Sequence, residues 1–282
     1  MSQIIDLPLV KRLQRPSHSD KDGRGRVLVI GEGLDAAGAL LLSGTAALRT
    51  GARELQIAAP PELAASLGVA VPEARIIPLD EALAGAAAQS DAVVVGASST
   101  AEDGRPTRQF ALAPGGAAYL LMAPAMTGLK PAEAQAFGGR LVLLAGLAEM
   151  AALRGRGQDE VLSEPLEIAR EVAAAYQAVV IMNDRDSQIV GADGRAWQTA
   201  GNVAALATGG SGDVLAGIIA GLMARGFAPV DAAVIGAYLH GRAGWRLSHD
   251  VGSVGFLARE LLEEIPLVMT DLSTAQTLPG SL

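Results

Sequence analysis

Arg26-Val27-Leu28-Val29-Ile30-Gly31 is a short apolar run ending in glycine, and Ala36 to Thr50 behind it is rich in alanine and leucine and closed by Gly51. The first has the length and composition of a strand buried on both faces, the second those of a helix with a glycine stop. The same alternation returns further along. Leu55-Gln56-Ile57-Ala58-Ala59 stops at Pro60-Pro61, Ala92-Val93-Val94-Val95-Gly96 reads as a core strand, and Ala117 to Met122 and Arg140 to Ala145 supply two more. Helical segments are expected near 62–68, 105–113, 131–137 and 147–153, and Glu164 to Tyr176 reads as a longer helix. Ala178 to Met182 is a further strand. Ser187 to Val190 and Ala196-Trp197-Gln198 form a hairpin turning at Ala192-Asp193-Gly194. From Val214 onward the chain is nearly all helical. Such alternation builds a mostly parallel sheet with helices on both faces, a three-layer α/β/α sandwich, with ligands outside the carboxyl ends of the strands. No linker or repeat divides it, so one domain over residues 1–282 is expected.

Composition narrows the partners. With 30 acidic against 22 basic residues the net charge is −8, which leaves no electrostatic footprint for nucleic acid or an anionic membrane. An anionic ligand then has to be held by local geometry. Hydrophobic residues make up 50% of the chain but aromatics only 3%, so closely packed layers with small side chains between them are expected. There is no cysteine, which removes disulfides, thiolate chemistry and cysteine-based zinc sites. The opening MSQIIDLPLVKRLQRPSHSDKDGRGR lacks an apolar signal core, and no uninterrupted apolar segment reaches the roughly 18 residues of a membrane span. A soluble, cytoplasmic protein is expected.

The chemistry concentrates at Ala207-Thr208-Gly209-Gly210-Ser211-Gly212-Asp213, which flows directly into the apolar stretch Val214 to Met223. Glycines allow consecutive N–H groups to converge on one point, and a helix start adds unsatisfied donors and about half a positive charge. That combination is an anion hole with a carboxylate at its edge, suited to accept a proton from a hydroxyl attacking a phosphoryl group. The simpler alternative is a glycine-rich turn in which Asp213 only stabilises the first helical turn. A helix N-terminus favours the carboxylate anion, so it is expected to lower the basicity of Asp213 and leave positioning as its main contribution. A second glycine motif, Gly31-Glu32-Gly33-Leu34-Asp35-Ala36, fits the dinucleotide fingerprint between a strand and a helix. Its next strand, however, ends Ile57-Ala58-Ala59-Pro60-Pro61 with no acidic residue for a ribose hydroxyl, which argues against a Rossmann site.

These segments together resemble the ADP- or ATP-dependent NAD(P)H-hydrate dehydratases, which are ribokinase-like proteins. Asp20-Lys21-Asp22-Gly23-Arg24-Gly25 before VLVIGE resembles the family's HKGxxG opening, and Gly38-Ala39 with LLLSGTAALRTGA its GAAxLAxxAALRxGAG helix. Val71-Pro72-Glu73-Ala74 resembles its PEA turn, the run Gly201 to Gly217 its GNxxLAxGGTGDVLxG signature, and Ala237 to Gly241 its AxxLHG helix. The signature is highly specific; the others say little alone. The resemblance implies repair of hydrated NADH or NADPH: the added ring hydroxyl is phosphorylated by ATP or ADP with Mg2+, and loss of phosphate restores the double bond. It also implies Asp213 as the base and Gly209, Gly210, Ser211 and Gly212 as donors to the migrating phosphoryl. Ala39, Gly96, Glu149, Asn183, Ser187 and Asn202 are implied as substrate- or nucleotide-binding positions, and a homo-oligomer as the assembly. Ala39 could equally serve helix packing, and Asn202 is also an ordinary turn residue.

The departures matter as well. The family's GPG turn is Gly96-Ala97-Ser98 here, its LDADAL strand end is Leu121 to Met126 without a carboxylate, and its TPHPGE turn keeps only Glu149. Its VLKGxxT segment appears as Ile181 to Ser187, with Asn183 for the lysine and Asp184 for the glycine. Close exposed like charges there should weaken binding of a polyanion by about 1 kcal/mol per pair. Asp184, Asp186 or Glu149 could recruit magnesium, the alternative being a solvated acidic loop. His18, His240 and His249 have no metal-ligand spacing, and a satisfied buried histidine is expected at 240. Two further readings follow from the losses: a nucleotide- or anion-binding protein without transfer activity, and a kinase for a thiazole or pyrimidine alcohol.

Overall fold

The computed structural model describes residues 2–13, 25–80, 82–97, 116–183, 187–199 and 203–274. Their strands join in one sheet of ten: β1 (Gln3–Ile5), β2 (Arg26–Ile30), β3 (Glu54–Ala58), β4 (Ala74–Ile77), β5 (Ala92–Val95), β6 (Ala118–Leu121), β7 (Leu141–Ala145), β8 (Val179–Asn183), β9 (Ser187–Val190) and β10 (Ala196–Thr199). The order across the sheet is β1-β10-β9-β8-β7-β6-β5-β2-β3-β4. β9 runs antiparallel to both its neighbours, and every other pairing is parallel.

The central strands are apolar throughout because both faces are covered. Val27 to Ile30 are each fully buried, with Val27 and Val29 facing one core and Leu28 and Ile30 the other. β5 divides its residues in the same way, Ala92 and Val94 against Val93 and Val95. The first core is roofed by the helices Ala37–Arg49, Ser211–Ala224, Pro229–Asp250 and Leu261–Thr274, the second by shorter helices including Leu147–Arg154 and Pro165–Tyr176. The three-layer sandwich expected from the sequence is therefore present.

Several elements depart from the sequence reading. The long helix begins at Pro165 rather than Glu164, and a separate short helix, Gln158–Ser163, precedes it. β1, β4 and the helices Leu7–Leu13 and Ala82–Ala88 were not legible as regular elements; each is short, and β1 and β4 lie at the sheet edges, where the apolar pattern is weakest. The helix expected near 105–113 lies outside the described residues.

The sequence order β2, β3, β4 runs one way from the centre of the sheet and β5, β6, β7 the other, so the chain reverses between β2 and β5. Here the loops leaving the two strands come together. Gly96 and Ala97 both donate to the Ile30 carbonyl, at 3.1 and 3.2 Å, and a Cβ on Gly31 would strike the Ala97 carbonyl oxygen. Backbone packing thus accounts for the first glycine of the dinucleotide-like motif.

The Ser211–Ala224 helix crosses this region antiparallel to β2. Its last residue, Ala224, accepts from the N–H of Gly25 just before β2 at 2.9 Å. Fourteen residues rise about 21 Å, so its first turn emerges at the carboxyl end of the strands. Against it lies Ala37–Arg49, packed with almost no side chain between the two axes. A Cβ on Gly217 would collide with the Ser43 carbonyl oxygen and come within 2.7 Å of the Ala46 Cβ, and one on Gly221 would come within 2.8 Å of the Ala47 oxygen.

Backbone atoms cannot swing aside as a long side chain can. Gly217→Ala is therefore expected to lower the free energy of unfolding by about 3 kcal/mol, at the upper end of overpacking costs. Gly38→Ala, at a helical position with open space around the added methyl, is expected to raise it by up to about 1 kcal/mol. Urea unfolding of the two variants checks both signs.

Candidate functional site

The first turn of the Ser211–Ala224 helix carries the site. Gly210 precedes it at φ 89, a left-handed conformation that suits glycine, and a Cβ there would lie 2.6 Å from Leu42 Cδ1 and 3.2 Å from the Ala258 Cβ. Both conformation and crowding demand glycine. The Ser211 N–H donates to the Thr208 carbonyl at 3.2 Å and the Val214 N–H to that of Gly210 at 3.1 Å. Ser211, expected from the sequence as a donor to the anion, thus has its N–H already taken, whereas among the described residues the N–H groups of Gly209, Gly210, Gly212 and Asp213 donate to no carbonyl outside the helix, and a Cβ on Gly209 or Gly212 would meet open space. Donors without carbonyl partners beside open space at a helix start are what an anion hole requires, and this open space is the candidate hollow.

Asp213 is half-buried beside this hollow, and among the described residues no hydrogen bond or charge meets its carboxylate. Burial pushes its pKa up from 3.8 to about 6. This corrects the expectation that the helix end would lower its basicity. The carboxylate loses water without gaining a partner among the described residues. An aspartate titrating near 6 is a competent base around neutral pH.

Two neighbouring helices hold the turn. On one side the Ser211 hydroxyl meets His240 Nε2 at 2.9 Å; both side chains are buried. Burial drives the His240 pKa down to about 4, against the raising effect of Ser211, so the imidazole is neutral. The satisfied buried histidine expected from the sequence is what the structure has. One turn further on, Leu206 lies over Gly244, whose added Cβ would come within 2.7 Å of it, anchoring the run that leads into the hollow. On the other side the Ser43 hydroxyl donates to the Asp213 carbonyl at 3.0 Å.

The remaining sequence-derived positions spread along the carboxyl edge of the sheet. Ala39, half-buried in the Ala37–Arg49 helix, is one turn before Ser43 and so belongs to the face that meets the hollow. Gly96 follows β5 at φ 96, held under Ala125 and the Met122 carbonyl. Asn183 ends β8 directly opposite Ser187 at the start of β9, where the Ser187 N–H donates to Thr199 Oγ1 at 3.0 Å. Glu149 Oε2 accepts the Gly146 N–H at 2.9 Å, capping its own helix, and among the described residues no three His, Asp or Glu side chains gather to hold a metal. No hydrogen bond among the described residues ties Gly96, Glu149 or Ser187 to Asp213. Asn202, Asp184, Asp186 and His18 lie outside the described residues, as does Ser98. Sequence reasoning missed Leu42 and Ser43; their only signal is spacing, three and four residues after Ala39.

Fold and hollow together define a ribokinase-like protein. Comparison with known proteins narrows this. The family model for NAD(P)H-hydrate dehydratase matches residues 27–267. The chain is 36% identical over 264 residues to an ADP-dependent (S)-NAD(P)H-hydrate dehydratase of Xanthomonas campestris, covering 90% of this chain and 91% of that one. It is 32% identical over 279 residues to a bifunctional NAD(P)H-hydrate repair enzyme of Moorella thermoacetica, where 92% of this chain spans only 52% of the relative. The crystal structure of the ADP/ATP-dependent NAD(P)H-hydrate dehydratase of Bacillus subtilis, co-crystallised with ATP and Mg2+, superposes with a TM-score of 0.81 at 25% identity, over 96% of this chain and 99% of that one. The chain belongs to the NAD(P)H-hydrate dehydratase family.

The raised pKa of Asp213 has a consequence for stability. Above pH 6 the folded protein carries an ionised, desolvated carboxylate that the unfolded chain hydrates freely; below about pH 3.8 the group is neutral in both states. Wild-type stability contributed by this group is thus complete at low pH and is lost as pH rises through 6. Asp213→Asn is expected to be more stable than wild type at pH 8 by on the order of 2 kcal/mol, with the difference vanishing near pH 3.5. Denaturant titrations of both proteins at the two pH values measure it.

Proposed function

We propose that the protein is an ADP- or ATP-dependent (S)-NAD(P)H-hydrate dehydratase in which Asp213 is the base and the Gly209–Gly212 turn the phosphoryl cradle. The observation that carries this reading is an unpartnered carboxylate of raised pKa set against open, unsatisfied N–H groups in a chain of this family. The ring hydroxyl of the hydrate bonds to the terminal phosphorus of the nucleotide while the bond to the remaining nucleotide breaks, and Asp213 takes the hydroxyl proton. Phosphate then leaves the ring with its electron pair, and loss of a ring proton restores the double bond. A poor leaving group is converted to a good one.

The chain's own contribution is alignment and charge stabilisation. The donors of Gly209, Gly210, Gly212 and Asp213 fit the oxygens of a transferring phosphoryl group, and the open space over Gly209 and Gly212 admits it. Magnesium would neutralise phosphate charge. With no acidic cluster among the described residues, it would be held by nucleotide phosphates and water, the usual habit of that ion, and not by a protein cage. Ala39 on the facing helix is read as lining the hydrate, and Gly96, Asn183, Ser187 and Asn202 as lining the nucleotide side, within a single domain. No helix among the described residues is long and apolar enough to cross a membrane.

Incubation with hydrated NADH, magnesium and either nucleotide is expected to restore the absorbance of the reduced nicotinamide. kcat/KM is expected to fall tenfold per pH unit below an apparent pKa near 6, because the base must be ionised. Asp213→Asn is expected to lose at least about a hundredfold in kcat while retaining nucleotide binding by calorimetry. Recovery absent with both nucleotides would overturn the reading, and full turnover in Asp213→Asn would remove Asp213 from it.

A further inference from the structure

We propose that Ser43 is a positioning residue for the catalytic step, fixing the main chain of Asp213 from the neighbouring helix; this rests on the reading of Asp213 as the base. Ser43 is fully buried, so it touches neither hydrate nor nucleotide. Its hydroxyl reaches the Asp213 carbonyl at 3.0 Å. Inside an α-helix that carbonyl already accepts the N–H of the residue four places on, and the side chain of that residue usually shields its second lone pair.

Here the residue four places on is Gly217. Its missing Cβ leaves the carbonyl uncovered, and the space is filled by Ser43 itself, whose own carbonyl oxygen would strike any Cβ placed there. Ser43 and Gly217 therefore form a matched pair, one supplying the donor and the other the access. Packing alone does not require the hydroxyl. Ala46 serves the same helix–helix contact with a methyl group, and among the described residues the Ser43 hydroxyl donates to the Asp213 carbonyl.

The carboxylate of Asp213 has no partner among the described residues, so its direction is inherited from its main chain. Ser43 is the side chain that holds that main chain. It stands one residue after Leu42, which crowds Gly210, and four after Ala39. One helix face thus carries the candidate substrate wall, the residue that shapes the anion hole and the residue that sets the base.

The test compares Ser43→Ala with Thr50→Ala. Thr50 is a second fully buried hydroxyl near the far end of the same helix contact, but it bonds to the Ala46 carbonyl behind it and not to the catalytic helix. Ser43→Ala is expected to lower kcat about tenfold with both KM values within about twofold of wild type, as a small misplacement of a base does. Thr50→Ala is expected to lower the melting temperature while keeping kcat within about twofold. If Ser43→Ala does not fold, Ser43→Cys, which keeps the volume and weakens the donor, is expected to give the same split.

Unchanged kcat in the Ser43 variant, or equal losses in both variants, would overturn the proposal. Amide exchange separates this outcome from failure of the functional reading. Ser43→Ala is expected to speed exchange at Val214 to Gly217 by about tenfold or more relative to Thr50→Ala, whether or not wild type turns over the hydrate. No acceleration overturns the Ser43 tie alone, and no turnover by wild type overturns the dehydratase reading.

Discussion

The approach of two helix backbones through Gly217 and Gly221 is the constraint on which the site depends. Because Ser43 and Ala47 main-chain atoms occupy the places where Cβ atoms would stand, the Ala37–Arg49 and Ser211–Ala224 helices are locked in one register. Both start at the carboxyl edge of the sheet, so that register fixes which residues of one face which residues of the other. Leu42 then falls on Gly210, and Ser43 on the Asp213 carbonyl. A third helix, Pro229–Asp250, closes the other side with Gly236 under Ile219, His240 on Ser211 and Gly244 under Leu206. Its contacts recur at intervals of four, the spacing of one helical face. Close packing of small residues here determines geometry as well as density.

The electrostatics follow from that packing. Burial strips water from Asp213 without offering it a partner among the described residues, and its pKa rises to about 6. At neutral pH this is a stability cost. The same desolvation gives the carboxylate a greater appetite for a proton, which is what a hydroxyl becoming a nucleophile requires. His240 belongs to the opposite case. Charging it would place an unpaired cation in the core, and burial holds it neutral, where it can fix the Ser211 hydroxyl. Both groups are displaced from their ordinary values by burial, Asp213 beside the open glycine turn and His240 within the core.

Legibility in the sequence followed burial and local spacing. The central strands were readable because residues such as Val27 to Ile30 are covered on both faces and so tolerate no polar side chain. The edge strands Gln3–Ile5 and Ala74–Ile77 carry half-exposed and polar positions and gave no comparable signal. The hollow was legible because its glycines, serine and aspartate are consecutive. Ser43, Leu42 and the Ser211–His240 pair were not, since each acts across a contact between elements far apart in the chain. The basicity of Asp213 was misjudged for a related reason. The helix end could be read from sequence, whereas burial of the carboxylate is a property of the folded packing.

The net charge of −8 sharpens what the hollow has to do. A polyanionic ligand gains nothing from the protein's overall field, and Asn183 at the end of β8 adds no positive charge. Among the described residues the short-range donors that the turn offers are main-chain N–H groups, in a turn held by Gly210 at positive φ and by the register of the helix below. Such donors carry no counter-charge to be screened and need no side-chain ordering when a ligand arrives. They also cannot be retuned one at a time by substitution, because Gly210 and Gly217 are held by steric demands that extend through the helix contact. The geometry of the glycine turn is thereby written into the packing of the core, and a change in either helix is felt in both.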